Sequence, residues 1–166
     1  MNTPLSTGAA ESAAADAYDI QPRQVPYVPK SKGFSTQTLI PTNMASAAQQ
    51  ALDLFEQHHG DIDAYLATRL GYGSVDELHQ YFSAEQIDAS ALAIGNLEQG
   101  AGFITGDQTG IGKGRICASI MRYAQQQGKI ALFITKDKPL YADMMRDVSD
   151  IGMRRFSPFI TDSSTE

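Results

Sequence analysis

Four glycines, Gly106, Gly110, Gly112 and Gly114, fall within nine residues between a short β-type run, Gly102-Phe-Ile-Thr105, and a helical run in which Ile116, Cys117, Ile120, Met121 and Ala124 recur up to Gly128. A loop this rich in glycine can adopt positive φ and turn several amide N–H groups inward, where any Cβ would crowd an anion. The following helix points its N-terminal dipole and unpaired amides at the same place. Lys113 adds a mobile ammonium. The string Gly106-Asp-Gln-Thr-Gly-Ile-Gly-Lys-Gly-Arg115 therefore predicts a polyphosphate cradle, with Gln108, Thr109, Gly110, Ile111, Gly112, Lys113, Gly114 and Arg115 around the phosphates. The bland alternative is a glycine-rich turn carrying an exposed lysine. A dinucleotide fingerprint fits less well, because Gly110-Ile-Gly112 is followed by Arg115 where the third glycine is needed.

Two departures from the general Walker A pattern stand out. Its first glycine falls at Asp107, so the match is to the variant ending T-G-x-G-K, here Thr109-Gly-Ile-Gly-Lys113. The Ser or Thr whose hydroxyl ordinarily holds Mg²⁺ is Gly114, so metal binding is expected to be indirect, through other groups or water.

The rest of the chain divides around this loop. Residues 1–33 read as a disordered or extended arm, poor in large apolar residues at first and then broken by Pro22, Pro26 and Pro29. Residues 34–100 read as a helical region. Met44 to His58 places Ala48, Leu52 and Phe55 on one face, with Asn43 or Thr42 as N-cap; Asp61 to Leu70 does so with Ile62, Tyr65, Leu66 and Leu70. Ser74 with Glu77, and Ser83 with Gln86, have capping-box spacing ahead of helices reaching Tyr81 and Gln99. Residues 101–166 change grammar: strand, loop, helix, a second strand over Ile130 to Thr135, a helix over Leu140 to Ile151, and at most one more strand near Phe156 to Thr161. That order predicts an α/β fold, a helical N-terminal region followed by the truncated first part of a P-loop (RecA-like) three-layer αβα domain with parallel strands.

Composition bounds the function classes. No apolar run approaches the roughly 18 to 20 residues of a membrane span, and the N-terminus has no basic and apolar signal-peptide pattern. The single Cys117 forms no internal disulfide and sits on an apolar helix face; a cytoplasmic setting is expected. The net charge of −6 argues mildly against a nucleic-acid partner, yet it conceals a split. Residues 1–100 hold four bases against twelve acids, whereas 101–166 hold nine bases against seven acids. His58-His59 near Asp61 and Asp63 reads as a helix terminus complementing the dipole, not a metal site. Asp143, Arg146 and Asp147 read as an ion-paired surface cluster.

The segments Gly102-Phe-Ile-Thr-Gly-Asp-Gln-Thr-Gly-Ile-Gly-Lys-Gly-Arg115, Leu132-Phe-Ile-Thr135 and Asp143-Met-Met-Arg-Asp-Val-Ser-Asp-Ile-Gly152 resemble the ATPase domain of the strawberry notch family, superfamily-two helicase-like proteins in which G-x-G-K-G-R replaces the usual ending. Tyr27-Val-Pro-Lys-Ser-Lys32, Leu39-Ile-Pro41 and Asp61 through Tyr72 are similar to its bacterial and phage members, large helicases often fused to adenine methylases and including DarB-like antirestriction proteins. The resemblance implies ATP and Mg²⁺ as cofactors, DNA as a partner of the full-length protein, and a bacterial or phage-infected cell. It also implies that Gln86, in Phe82-Ser-Ala-Glu-Gln86, reads adenine as a Q-motif glutamine; the alternative is a glutamine satisfied by its own capping box. No acidic pair for water activation follows, so no catalytic residue is expected within this chain. Asp137 reads as a solvated turn residue. The expected function is the ATP-binding N-terminal part of a DNA helicase or translocase, inactive in hydrolysis alone. The alternative is a nucleotide-binding regulatory module without turnover.

Overall fold

Residues 23–106, 112–154 and 156–161 are described by the structure, a computed structural model. Strands β1 (Gln24–Pro26) and β2 (Leu39–Pro41) pair antiparallel, with Val25 opposite Ile40. Six helices follow: α1 (Thr42–His59), α2 (Ile62–Leu70), α3 (Val75–Tyr81), α4 (Ala84–Glu98), α5 (Lys113–Gln126) and α6 (Pro139–Asp150).

The caps explain most of these boundaries. Asp61 accepts from the Ala64 amide at 3.0 Å and starts α2; Ser74 accepts from the Glu77 amide at 3.1 Å and starts α3. Before α4 the full capping box forms: the Gln86 amide donates to Ser83 Oγ and the Ser83 amide donates to Gln86 Oε1. At α1 the expectation of a Thr42 or Asn43 cap is corrected. Both residues lie inside the helix, Pro41 holds the cap position, and no side chain caps it.

Helix α4 is the centre of the packing, against α1, α2 and α5, and α5 packs in turn on α6. Leu52, Leu66, Leu70, Ile87 and Ile94 form the core between them, joined from the C-terminal half by Val148 and Ile151. Ile62, Tyr65, Leu66 and Leu70 are all buried, as the helical spacing predicts. Leu97, at the end of α4, is 40% exposed.

The three-layer parallel sheet is not formed by the described residues. Residues 102–105 and 130–135, expected to be strands, and residues 156–161, read as at most one more, belong to no hydrogen-bonded ladder, and the sheet present among the described residues is the antiparallel β1–β2 pair. A parallel strand depends wholly on neighbours brought up by crossovers, so its local pattern creates no ladder by itself. Ile104, Ile130 and Phe159 are accordingly 93%, 98% and 91% exposed, whereas Phe133 turns inward onto the core.

The extended part of the N-terminal arm is docked. Buried Asp88 of α4 accepts from the Tyr27 hydroxyl and from the Lys30 and Ser31 amides, each at 2.9 Å. Buried Asp63 of α2 accepts from Ser31 Oγ and the Lys32 amide, with His79 Nε2 at 3.2 Å. Residues 1–22, the first part of that arm, lie outside the described residues.

Candidate nucleotide-binding site

The loop enters α5 through Gly112, whose φ of 81° and ψ of 42° place it in the left-handed region open to glycine at least cost. Lys113 and Gly114 are the first two residues of α5, and the Arg115 amide closes the first turn on the Gly112 carbonyl at 2.9 Å. No side chain caps this helix and its own first turn holds no acid, so its dipole and leading amides suit an anion supplied from outside. Gln108, Thr109, Gly110 and Ile111 lie outside the described residues.

Gln86 comes to this same point. A Cβ on Gly112 would overlap the Gln86 Nε2, so the two residues touch across 26 positions of sequence only because residue 112 has no side chain. The capping box of Gln86 forms, and the same side chain also reaches the loop. Its Oε1 is held by the Ser83 amide at 3.1 Å, which orients the amide plane and presents Nε2 at the loop.

Gly114 meets a second side chain. A Cβ there would fall on the carboxylate of Asp147, which α6 carries to the first turn of α5. Asp147 Oδ1 pairs with Arg146 Nη2 at 3.6 Å, its side chain is 16% exposed, and with burial it helps push the Cys117 thiol up. The sequence reading placed Asp147 on a solvated surface. The signal that could have corrected it is the co-occurrence of a glycine after the loop lysine with an acid on the next helix.

Arg115 is directed elsewhere. Its Nη1 donates to the Tyr81 carbonyl at 2.6 Å and its Nη2 lies 3.6 Å from Asp150 Oδ2, so the guanidinium ties α5 to the end of α3 and to α6. Arg122, which the sequence reading passed over, is a similar tie: it donates to the carbonyls of Leu70 and Ile151 and lies 4.1 Å over the Tyr72 ring. The histidines are structural too. His59 packs on Phe55 and Tyr65, and His58 Nδ1 lies 2.7 Å from the Leu54 carbonyl. Among the described residues no cluster of three or more His, Cys, Asp or Glu is arranged to hold a metal. Arg146 and Asp143 form an exposed pair at 2.9 Å, as expected.

Residues 28–163 match the family described as P-loop containing NTP hydrolase pore-1. The chain belongs to that family. A P-loop family agrees with the phosphate reading of the glycine-rich string, and P-loop NTPases generally bind their nucleotide together with Mg²⁺. The chain is also similar to the protein strawberry notch of Drosophila melanogaster, at 46% identity over 56 residues that make up 33% of this chain and 3% of the relative. It thus spans only a small fraction of that relative's length. No solved structure matches. No helix among the described residues is long and apolar enough to cross a membrane.

Proposed function

We propose that the chain is the nucleotide-binding opening of a strawberry notch-type, helicase-like ATPase, with residues 34–100 supporting the base side and 101–166 beginning the P-loop lobe. The observation that carries this reading is the meeting of Lys113, an uncapped α5 terminus and the Gln86 amide at one point, in a chain whose family is defined by its P-loop. Lys113 and the α5 amides would hold the phosphates of ATP, together with Gln108, Thr109, Gly110, Ile111 and Gly112. Gln86 Nε2 would donate to an acceptor nitrogen of adenine. When bound, Mg²⁺ would neutralise phosphate charge. Gly114 offers it no hydroxyl.

Hydrolysis and DNA translocation would belong to a longer polypeptide. An open cleft of about 690 Å³ between α5, α6 and the strand-like segments, with Phe133, Met144 and Phe156 in its wall, suits the strands that would complete the lobe. The relationship to phage and bacterial antirestriction helicases, with their fused methylases, rests on the upstream similarity alone. A regulatory module without turnover would bind nucleotide equally well, and Gly114 favours it only if no oxygen donor replaces the missing hydroxyl.

The test is the affinity for ATP and ADP with Mg²⁺, measured by calorimetry on the whole chain and on Lys113→Ala. Loss of the loop ammonium is expected to weaken binding by at least ten-fold, the effect of one charge-assisted hydrogen bond of about 1.5 kcal/mol or more. Equal affinities for the two proteins would refute the cradle.

A further inference from the structure

The residue after a P-loop lysine ordinarily contributes the hydroxyl that binds the nucleotide's Mg²⁺, and here it is glycine. The structure shows what occupies the side-chain space this leaves. A Cβ built on Gly114 would coincide with Asp147 Oδ2, so the carboxylate from α6 fills the volume in which a serine or threonine side chain would begin. We propose that Asp147 supplies, through Oδ2, the protein oxygen that the missing hydroxyl would otherwise give to the divalent cation accompanying the bound nucleotide. This rests on the nucleotide reading above and names a residue of the site beyond it.

Three observations carry it. The carboxylate is placed by its helix: α6 is anchored by buried Val148 and Ile151, Arg146 Nη2 lies 3.6 Å from Oδ1, and only a glycine at 114 permits the approach. Gly114 and the Cys117 thiol face Asp147 across the helix contact, and α5 presents no acid of its own in its first turn. A hard oxygen anion is also the donor type that Mg²⁺ selects, usually as one or two carboxylates beside phosphate oxygens and water.

Electrostatics gives the idea a signature. An uncompensated carboxylate beside a polyphosphate repels it; a divalent cation between the two converts that repulsion into attraction. Asp147 should therefore weaken binding of metal-free nucleotide and strengthen binding of the metal complex. A residue that merely packs α6 against α5 would move both affinities in the same direction.

The experiment measures ADP affinity on the whole chain in EDTA and in Mg²⁺, and Mn²⁺ affinity by electron paramagnetic resonance in the presence of ADP. The proteins are wild type, Asp147→Asn and the double variant Gly114→Ser/Asp147→Ala, with circular dichroism melts confirming that each folds. Asp147→Asn is expected to lower Mn²⁺ affinity roughly ten-fold or more, as loss of even an outer-shell partner does, while metal-free ADP binds as well as or better than before. The double variant places a hydroxyl in the emptied volume and is expected to recover much of the Mg²⁺ effect. If Asp147→Asn leaves both affinities unchanged, or weakens both alike, the assignment is overturned while the nucleotide reading survives. If wild type binds no ADP in either buffer, both fall together.

Discussion

Asp88 offers the sharpest test of how this chain holds its N-terminal arm. It is fully buried on α4 and accepts hydrogen bonds from Tyr27, Lys30 and Ser31, yet burial, with the charge of Asp63 nearby, pushes its carboxyl from an ordinary 3.8 up to about 6. The fold thus favours the protonated form. Its contribution is fully present below the unfolded value near 3.8 and is lost as pH rises through about 6. A shift from 3.8 to about 6 corresponds to about 3 kcal/mol of destabilisation once the group is ionised in both states, with roughly half of it already relieved at pH 5.

Asp88→Asn removes the ionisation but keeps the shape. Its carbonyl can replace the oxygen that serves Tyr27 and Lys30, while its amino group opposes the Ser31 amide, a mismatch that costs about 1–3 kcal/mol. Urea unfolding followed by circular dichroism at pH 5 and pH 7 gives the stability of both proteins. Subtraction cancels the opposite trends of Asp53, Asp61, Glu85 and Glu98, whose carboxyls are held below their ordinary values. Relative to wild type, the variant should be about 1 kcal/mol better off at pH 7 than at pH 5. A difference that does not change with pH would refute the burial argument.

Two further substitutions separate structure from binding. Arg115→Ala removes the bond to the Tyr81 carbonyl and should lower stability by about 1.5–3 kcal/mol in urea melts, while ADP affinity changes far less than in Lys113→Ala. Ser83→Ala removes the hydroxyl that accepts from the Gln86 backbone amide and should cost about 1 kcal/mol of stability in urea melts; Gln86 Oε1 keeps the Ser83 backbone amide, so the affinities for ATP and for inorganic triphosphate should change alike.

What the sequence makes legible is local. Ser74 with Glu77, and Ser83 with Gln86, locate two helix starts to the residue, since a cap is a contact three positions long. The spacing of Ile62, Tyr65, Leu66 and Leu70 locates a buried face. The loop is legible because its chemistry needs glycine at fixed offsets. The contacts that assemble the site are not local: Gln86 meets Gly112, and Asp147 meets Gly114, through helix packing with no sequence period. Asp63 and Asp88 are hidden for another reason. Acids are ordinarily solvated, and nothing in their immediate neighbours shows that a docked arm will supply their donors. The expected strands fail as ladders because parallel pairing is decided by partners, so the pattern of residues 130–135 reports only which side turns inward.

The first half of α4 links these non-local contacts. Glu85 accepts from Ser35 Oγ at 2.6 Å and from the Thr36 amide; Gln86 faces the loop; Asp88 holds the arm. One turn on, Ser90 Oγ accepts from Ser119 Oγ of α5 at 2.9 Å inside the core. Both residues are fully buried, and the Ser119 hydroxyl also reaches the Ile116 carbonyl of its own helix at 2.7 Å, so a slip of α5 along α4 would leave the Ser90 hydroxyl without this partner at a cost of about 1–3 kcal/mol. That buried pair fixes the axial position of α5, and Ser119 lies two turns beyond Gly112. The point at which the loop becomes helix, and with it the place of Lys113 in the proposed cradle, is therefore set by a helix that precedes the loop in sequence. The arm clamps the same helix on its other side. A perturbation of residues 27–36 is accordingly expected to act through α4 on the ADP affinity of the proposed site.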